Sequence, residues 1–186
     1  DTILGIGADE DMERYLSPAT KIVNAEGRFI TPGFIDSHVH LMSGGSSLLS
    51  IDLRDAKTPA AFSQQIAEYA QSLEPGAWIL EGNWDHTLWG GELPQKEWID
   101  EFTRENPVVI SRLDGHMVLA NSLALELAGI SESTADVAGG EIVRNTDGSP
   151  TGILKDNAMD LLWEEIPALT ETQKENAFNS AMRYLV

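Results

Sequence analysis

The chain has 186 residues, 42% of them hydrophobic, and 30 Asp and Glu against 12 Lys and Arg give it a net charge of −18. That is enough for a sizeable core and roughly one domain, whereas the acidity, with no clustered Lys and Arg, argues against nucleic acid and anionic membrane surfaces as partners. With no cysteine present, disulfides and thiolate ligands are excluded, so any metal must be held by His, carboxylate or a less usual group.

In chain order, Ile3 to Gly7 reads as a short apolar strand and Asp9 to Thr20 as polar and exposed. Lys21 to Asn24 reads as a second strand, and Ala25-Glu26-Gly27 turns into Arg28-Phe29-Ile30, so these are hairpin-like pieces. Pro32-Gly33 then breaks the chain. Phe34 to Leu41 alternates as a strand does, which puts Asp36, His38 and His40 on one face and Ile35, Val39 and Leu41 on the other. Two imidazoles at i and i+2 can reach one metal ion, and Asp36 can orient a ligand ring or support it from inside. Gly44-Gly45 loosens the chain just after.

Ser50 to Arg54 reads as a strand, and Thr58-Pro59 opens a helix with Phe62, Ile66 and Leu73 on its apolar face. Ala77 to Gly82 is the next strand, followed by an aromatic loop from Asn83 to Gly91. Leu93-Pro94 starts a helix with Trp98, Ile99 and Phe102 inward. The β-branched run from Pro107 to Arg112 is a buried strand. Asn121 or Ser122 caps a short helix ended by Gly129. Glu141 to Arg144 and Thr151 to Lys155 form a hairpin running into a further strand. Asn157 to Trp163 reads as helical, and Thr170-x-x-Gln173 boxes the start of a last helix that is still running at Val186. Strand and helix alternate after residue 31 at the spacing of βα units, which argues for an α/β fold with a parallel sheet. No apolar run is long enough to span a bilayer, and no signal peptide is visible, although the chain begins at Asp1 without Met. The compartment stays open, with the cytoplasm favoured.

The stretch from Gly27 to His40, Gly-Arg-Phe-Ile-Thr-Pro-Gly-Phe-Ile-Asp-Ser-His-Val-His, resembles the first barrel strand of the amidohydrolase superfamily. The segment Leu113 to Ser122 resembles the branch of amidohydrolase family 3 that includes N-substituted formamide deformylases. This resemblance implies a (β/α)8 TIM barrel, with residues 1–30 as part of a small β-sandwich and residues 31–186 as the first half of the barrel. It implies that His38 and His40 hold a divalent metal, zinc first, as one or two ions. Lys155, ending a buried strand, is then a carboxylated lysine bridging two metals; without the resemblance, it is a lysine reaching solvent or pairing with Asp156. His116 and Trp84 are expected in the substrate pocket, with Trp89 another lining candidate. His86 is expected to be structural or exposed.

The superfamily completes its site with later histidines and a late general-base Asp. All four histidines here, at 38, 40, 86 and 116, precede Lys155, so no catalytic base is expected within this chain and an incomplete N-terminal portion is expected instead. The implied activity is metal-dependent hydrolysis of C–N bonds in small amide- or formamide-type substrates. The rival expectation is a non-catalytic fragment or metal-binding module, and a homo-oligomer stays open.

Overall fold

The computed structural model describes residues 2–185, and its described residues divide into two compact units that meet in the chain between Val39 and His40. Among the described residues, the first unit holds a short helix, α1 (Asp9–Met12), and a 3-10 turn, Glu13–Tyr15, and no other regular element. The expected strands at 3–7, 21–24, 28–30 and 34–41 do not form. Their alternation is present, but a strand needs a neighbour to take its backbone N–H and C=O groups, and no described residue before 51 enters a ladder. Phe29, Phe34 and Ile35 are accordingly exposed.

The second unit opens with α2 (Leu41–Ser47), so Leu41 belongs to a helix rather than to a strand. Gly44-Gly45 lies inside that helix instead of loosening a loop. Gly45 is buried against α6 (Glu171–Leu185), where an added Cβ would stand 2.0 Å from the Ala177 carbonyl oxygen. Only a residue without Cβ allows the two helices this approach.

A six-stranded sheet follows, from β1 (Ile51–Asp52), β2 (Ile79–Trp84), β3 (Val108–Arg112), β4 (Met117–Ala120), β5 (Gly140–Arg144) and β6 (Pro150–Asp156), in the order β1-β2-β3-β4-β6-β5. β1, β2 and β3 are parallel, while β4 runs antiparallel to both β3 and β6, and β5 antiparallel to β6. The sheet is therefore mixed: the parallel arrangement expected from the βα alternation holds for β1 to β3, and the expected hairpin forms as β5 and β6. β4 is the unforeseen strand: Met117-Val118-Leu119-Ala120 is a short apolar run, and such runs do not tell strand from helix by periodicity. Because β4 reverses the chain twice, β6 points the same way as β3.

Both faces of the sheet are covered. Ile79, Val108, Ile110, Leu119 and Ile153 pack with Phe62 and Ile66 of α3 (Pro59–Gln71); Val109, Val118, Ala120 and Leu154 pack with Ala124 and Leu125 of α4 (Ser122–Leu127) and Leu162 of α5 (Asp160–Trp163). This period-two split of buried residues to opposite faces explains why the strands read as continuous apolar runs.

Helix starts follow the expected chemistry. Thr58 accepts from the Ala61 amide with Pro59 at the first helical position, and Thr170 and Gln173 box the start of α6. The expected continuation of α6 to Val186 lies outside the described residues. Asn121 is a buried hub: its Oδ1 accepts from the Ala124 and Val108 amides at 2.9 and 3.0 Å, and its Nδ2 donates to Thr103 and Asn106. One side chain thus caps α4 and ties it to β3. The expected helix from Leu93 is reduced to a 3-10 turn, Lys96–Trp98, and Phe102 is exposed. Asp100 there accepts from the Ser122 amide and hydroxyl, which anchors the turn to the start of α4. Among the described residues, no helix is long and apolar enough to cross a membrane.

Candidate functional site

The topology gathers chemistry at one end of the sheet. The carboxyl ends of β1, β2, β3 and β6 lie together with the amino ends of β4 and β5. Asp85, His86, Arg112, Asp114, His116, Glu141, Lys155 and Asp156 all fall at or just beyond this rim.

The approach to the rim from β2 is distorted. Glu81, Gly82 and Asn83 have φ of 71°, 97° and 52°, and the β2–β3 register shifts between Gly82 and Trp84. Left-handed backbone at Glu81 and Asn83 costs free energy, and strain of this kind collects at functional sites. The Ser47 hydroxyl donates to Glu81 Oε2 at 2.8 Å, fixing the carboxylate at the end of α2.

Past the bulge, Trp84 turns fully inward and its indole N–H donates to the Ile110 carbonyl at 2.9 Å. Its ring packs edge-on to Phe62 with centroids 6.4 Å apart. Trp84, expected in the substrate pocket, is thus fully buried in the core. Trp89 is partly buried against the same core.

Asp85 and His86 follow, joined to β3 through Arg112. Arg112 Nε donates to His86 Nδ1 at 3.2 Å, one terminal nitrogen reaches Asp85 Oδ1 at 3.5 Å, and the other binds Asp114. Burial first, then the Arg112 charge, holds the His86 imidazole below its ordinary value, against the pull of Asp85 and Asp114. The Asp85 carboxyl is held below the usual carboxylate range chiefly by the Thr87 backbone N–H, with Arg112 contributing less. His86 is therefore half-buried and specifically bonded. Arg112 was not singled out from the sequence, although it ends a buried strand as Lys155 does, and that signal was available.

His116 and Asp156 meet at the end of the β4–β6 ladder, where the Asp156 amide donates to the His116 carbonyl at 3.1 Å, one step past the Met117–Lys155 pair. His116 Nδ1 lies 2.9 Å from Asp156 Oδ1 with the ring largely exposed, and Asp156 has φ 47°. Lys155 Nζ donates to Glu141 Oε2 at 2.8 Å. The expectation for Lys155 was a ligand role, a lysine reaching solvent or a pair with Asp156; its partner in the structure is Glu141 on the neighbouring strand.

The His38-Val39-His40 pair is placed differently from expectation. No strand carries it, both residues are exposed, and the boundary between the two units passes between Val39 and His40. Asp36 is exposed and accepts from the His38 amide at 2.9 Å, a local turn rather than a barrel-interior support. His40 immediately precedes α2. Among the described residues no three His, Asp or Glu side chains gather as a metal set.

Comparison with known proteins places the chain. It is 41% identical over 182 residues to Protein LONG AFTER FAR-RED 3 of Arabidopsis thaliana, covering 98% of this chain and 31% of that protein. It is 30% identical over 162 residues to the N-substituted formamide deformylase of Arthrobacter pascens, covering 84% of this chain and 30% of the other. A crystal structure of an uncharacterized metal-dependent hydrolase from Pyrococcus horikoshii superposes with a TM-score of 0.59 at 26% identity, over 83% of this chain and 28% of that one. The chain thus spans about a third of the length of these relatives. Residues 21–186 match the amidohydrolase family, and the chain belongs to that family.

Proposed function

We propose that this chain is the metal-binding and substrate-facing part of a hydrolase that cleaves C–N bonds in small amide-type molecules, N-substituted formamides among them. The family match across residues 21–186 carries this reading. The gathering of polar side chains at the carboxyl ends of β1, β2, β3 and β6 supports it, since parallel α/β architectures place their chemistry there.

The donor chemistry suits a divalent cation of the zinc type, because neutral imidazoles are its usual ligands. The described residues alone do not complete a coordination set. His38 and His40 are the imidazole donors in this reading, and Lys155 is the candidate for a carboxylated ligand. In this structure the Lys155 amine is engaged by Glu141, so carboxylation would require that pair to open. A divalent cation, when bound, supplies activation of water and polarisation of a carbonyl.

The chain's own residues do the remaining work at the rim. The Arg112 pairs fix Asp85, His86 and Asp114 relative to β2 and β3. His116 is exposed and held by Asp156, in a position to contact a ligand entering over β4.

Hydrolysis of N-formyl and N-acyl amines by the whole enzyme of which this chain forms a part, measured with and without a chelator, tests the reading. Chelator-sensitive release of formate or carboxylate is expected. Lys155→Ala is expected to lose metal and activity, with partial rescue by short carboxylic acids. Full activity in the presence of chelator, or unchanged metal content in Lys155→Ala, would overturn the corresponding assignment.

A further inference from the structure

The loop after β2 carries a histidine whose proton the surrounding geometry assigns to one nitrogen. A guanidinium nitrogen can only donate a hydrogen bond. Arg112 Nε faces His86 Nδ1 at 3.2 Å, so Nδ1 must be the lone-pair acceptor. A neutral imidazole bonded in this way carries its proton on Nε2.

The arrangement is braced from each side. Asp85 and Asp114 engage the terminal nitrogens of Arg112, which leaves the guanidinium little freedom to swing away. The His86 ring stands edge-on to the buried Trp84 ring, with centroids 5.9 Å apart. The Thr87 amide donates to Asp85 Oδ1 at 3.0 Å, opening the 3-10 turn His86–Trp89, and Gly90 at φ 95° closes it. Burial and the Arg112 charge lower the ring below its ordinary value, which favours the neutral form. Nε2 makes no hydrogen bond among the described residues and is not buried.

We infer that Arg112 is a positioning residue that holds His86 with its Nε2–H presented outward, as a fixed hydrogen-bond donor for the carbonyl oxygen of an amide-type ligand. The choice of ligand rests on the hydrolase reading above; the tautomer does not. A protonated Nε2 has no lone pair to give a cation, so His86 stands apart from His38 and His40 as a non-ligand. Trp84 then acts through His86, as the wall against which the ring is set.

Long-range proton–nitrogen NMR of the 15N-labelled chain tests this, with His86→Gln assigning the resonances. Wild-type His86 is expected to show an unprotonated Nδ1 and a protonated Nε2, and to titrate below the ordinary imidazole value. In Arg112→Met the ring is expected to relax to mixed tautomers and its titration to move up. N-methylformamide, used as the probe, is expected to shift the Nε2 resonance saturably. Its affinity should weaken about two- to tenfold in Arg112→Met, the loss of one well-placed hydrogen bond. Added zinc is expected to leave His86 unperturbed.

A wild-type ring protonated on Nδ1, or zinc displacing the Nε2 proton, would overturn the tautomer assignment. An Nε2 resonance that N-methylformamide never moves would overturn the ligand assignment. The wild-type spectrum decides the tautomer even if Arg112→Met fails to fold. None of these readouts depends on turnover, so loss of hydrolase activity and loss of the His86 assignment are separately visible.

Discussion

Residues 2–39 and residues 40–185 hold similar apolar patterns and end in opposite states. Phe34-Ile35 and Val108-Val109 would each serve a buried strand, yet the first pair is exposed and the second is completely buried. The difference is the backbone partner. Val108 and Val109 have β2 on one side and β4 on the other, whereas Phe34 and Ile35 have no ladder partner among the described residues. Alternation specifies which face a side chain takes once a sheet exists; it does not by itself supply the neighbouring strand.

The largest expected effect tests this contrast directly. Phe62 is 0% exposed and packs against the rings of Trp84, Trp89 and Trp98. Phe62→Ala should cost about 3–5 kcal/mol in urea denaturation, the usual penalty for emptying a buried aromatic site. Phe34 is 92% exposed, so Phe34→Ala should stay within about 0.5 kcal/mol of wild type. Equal losses at the two positions would show that Phe34 is packed as Phe62 is.

A smaller effect contrasts two adjacent glycines. Gly45→Val drives a side chain into the Ala177 carbonyl and should destabilise by about 1–3 kcal/mol. Gly44 has nothing within 4 Å of an added Cβ and lies in α2, so Gly44→Ala should be neutral or stabilising by up to about 1 kcal/mol. Thermal unfolding separates the two, and a Gly45→Val variant as stable as wild type would contradict the α2–α6 contact.

The smallest effect is a pH dependence. His86 is depressed below the ordinary 6.5 in the folded chain, so the unfolded state binds the proton more readily. Its contribution is complete above the unfolded value and is lost as pH falls through the lower folded value. Asp85 is depressed below 3.8, so its stabilisation is present above that value and lost as pH falls through its own folded value. His86→Gln should therefore flatten the stability profile in the window just below 6.5 and leave the acid limb in place. An unchanged profile across that window would exclude His86 as its source.

Much of the second unit was legible because its signals are local. Thr58-Pro59, Asn121 and Thr170-x-x-Gln173 announce helix starts through hydrogen bonds made within three residues. The β-branched run at Val108–Ile110 and the hairpin leading to Lys155 are likewise short-range features. What escaped was long-range. The antiparallel insertion of β4 depends on which strand Met117–Ala120 can reach, and Gly45 reads as a loop residue until Ala177, far along the chain, is set against it. At the site, His86 and Lys155 were visible as residues at strand ends, but their partners Arg112 and Glu141 come from neighbouring strands, which only the sheet order reveals.

Metal binding by the His38-Val39-His40 segment is the claim on which the hydrolase reading turns. Calorimetric titration of zinc into the wild-type protein, His38→Ala and His40→Ala measures it. Stoichiometric binding is expected for wild type, and at least tenfold weaker binding, about 1.4 kcal/mol or more, for either variant. Equal affinity in all three proteins, or none in wild type, would contradict it.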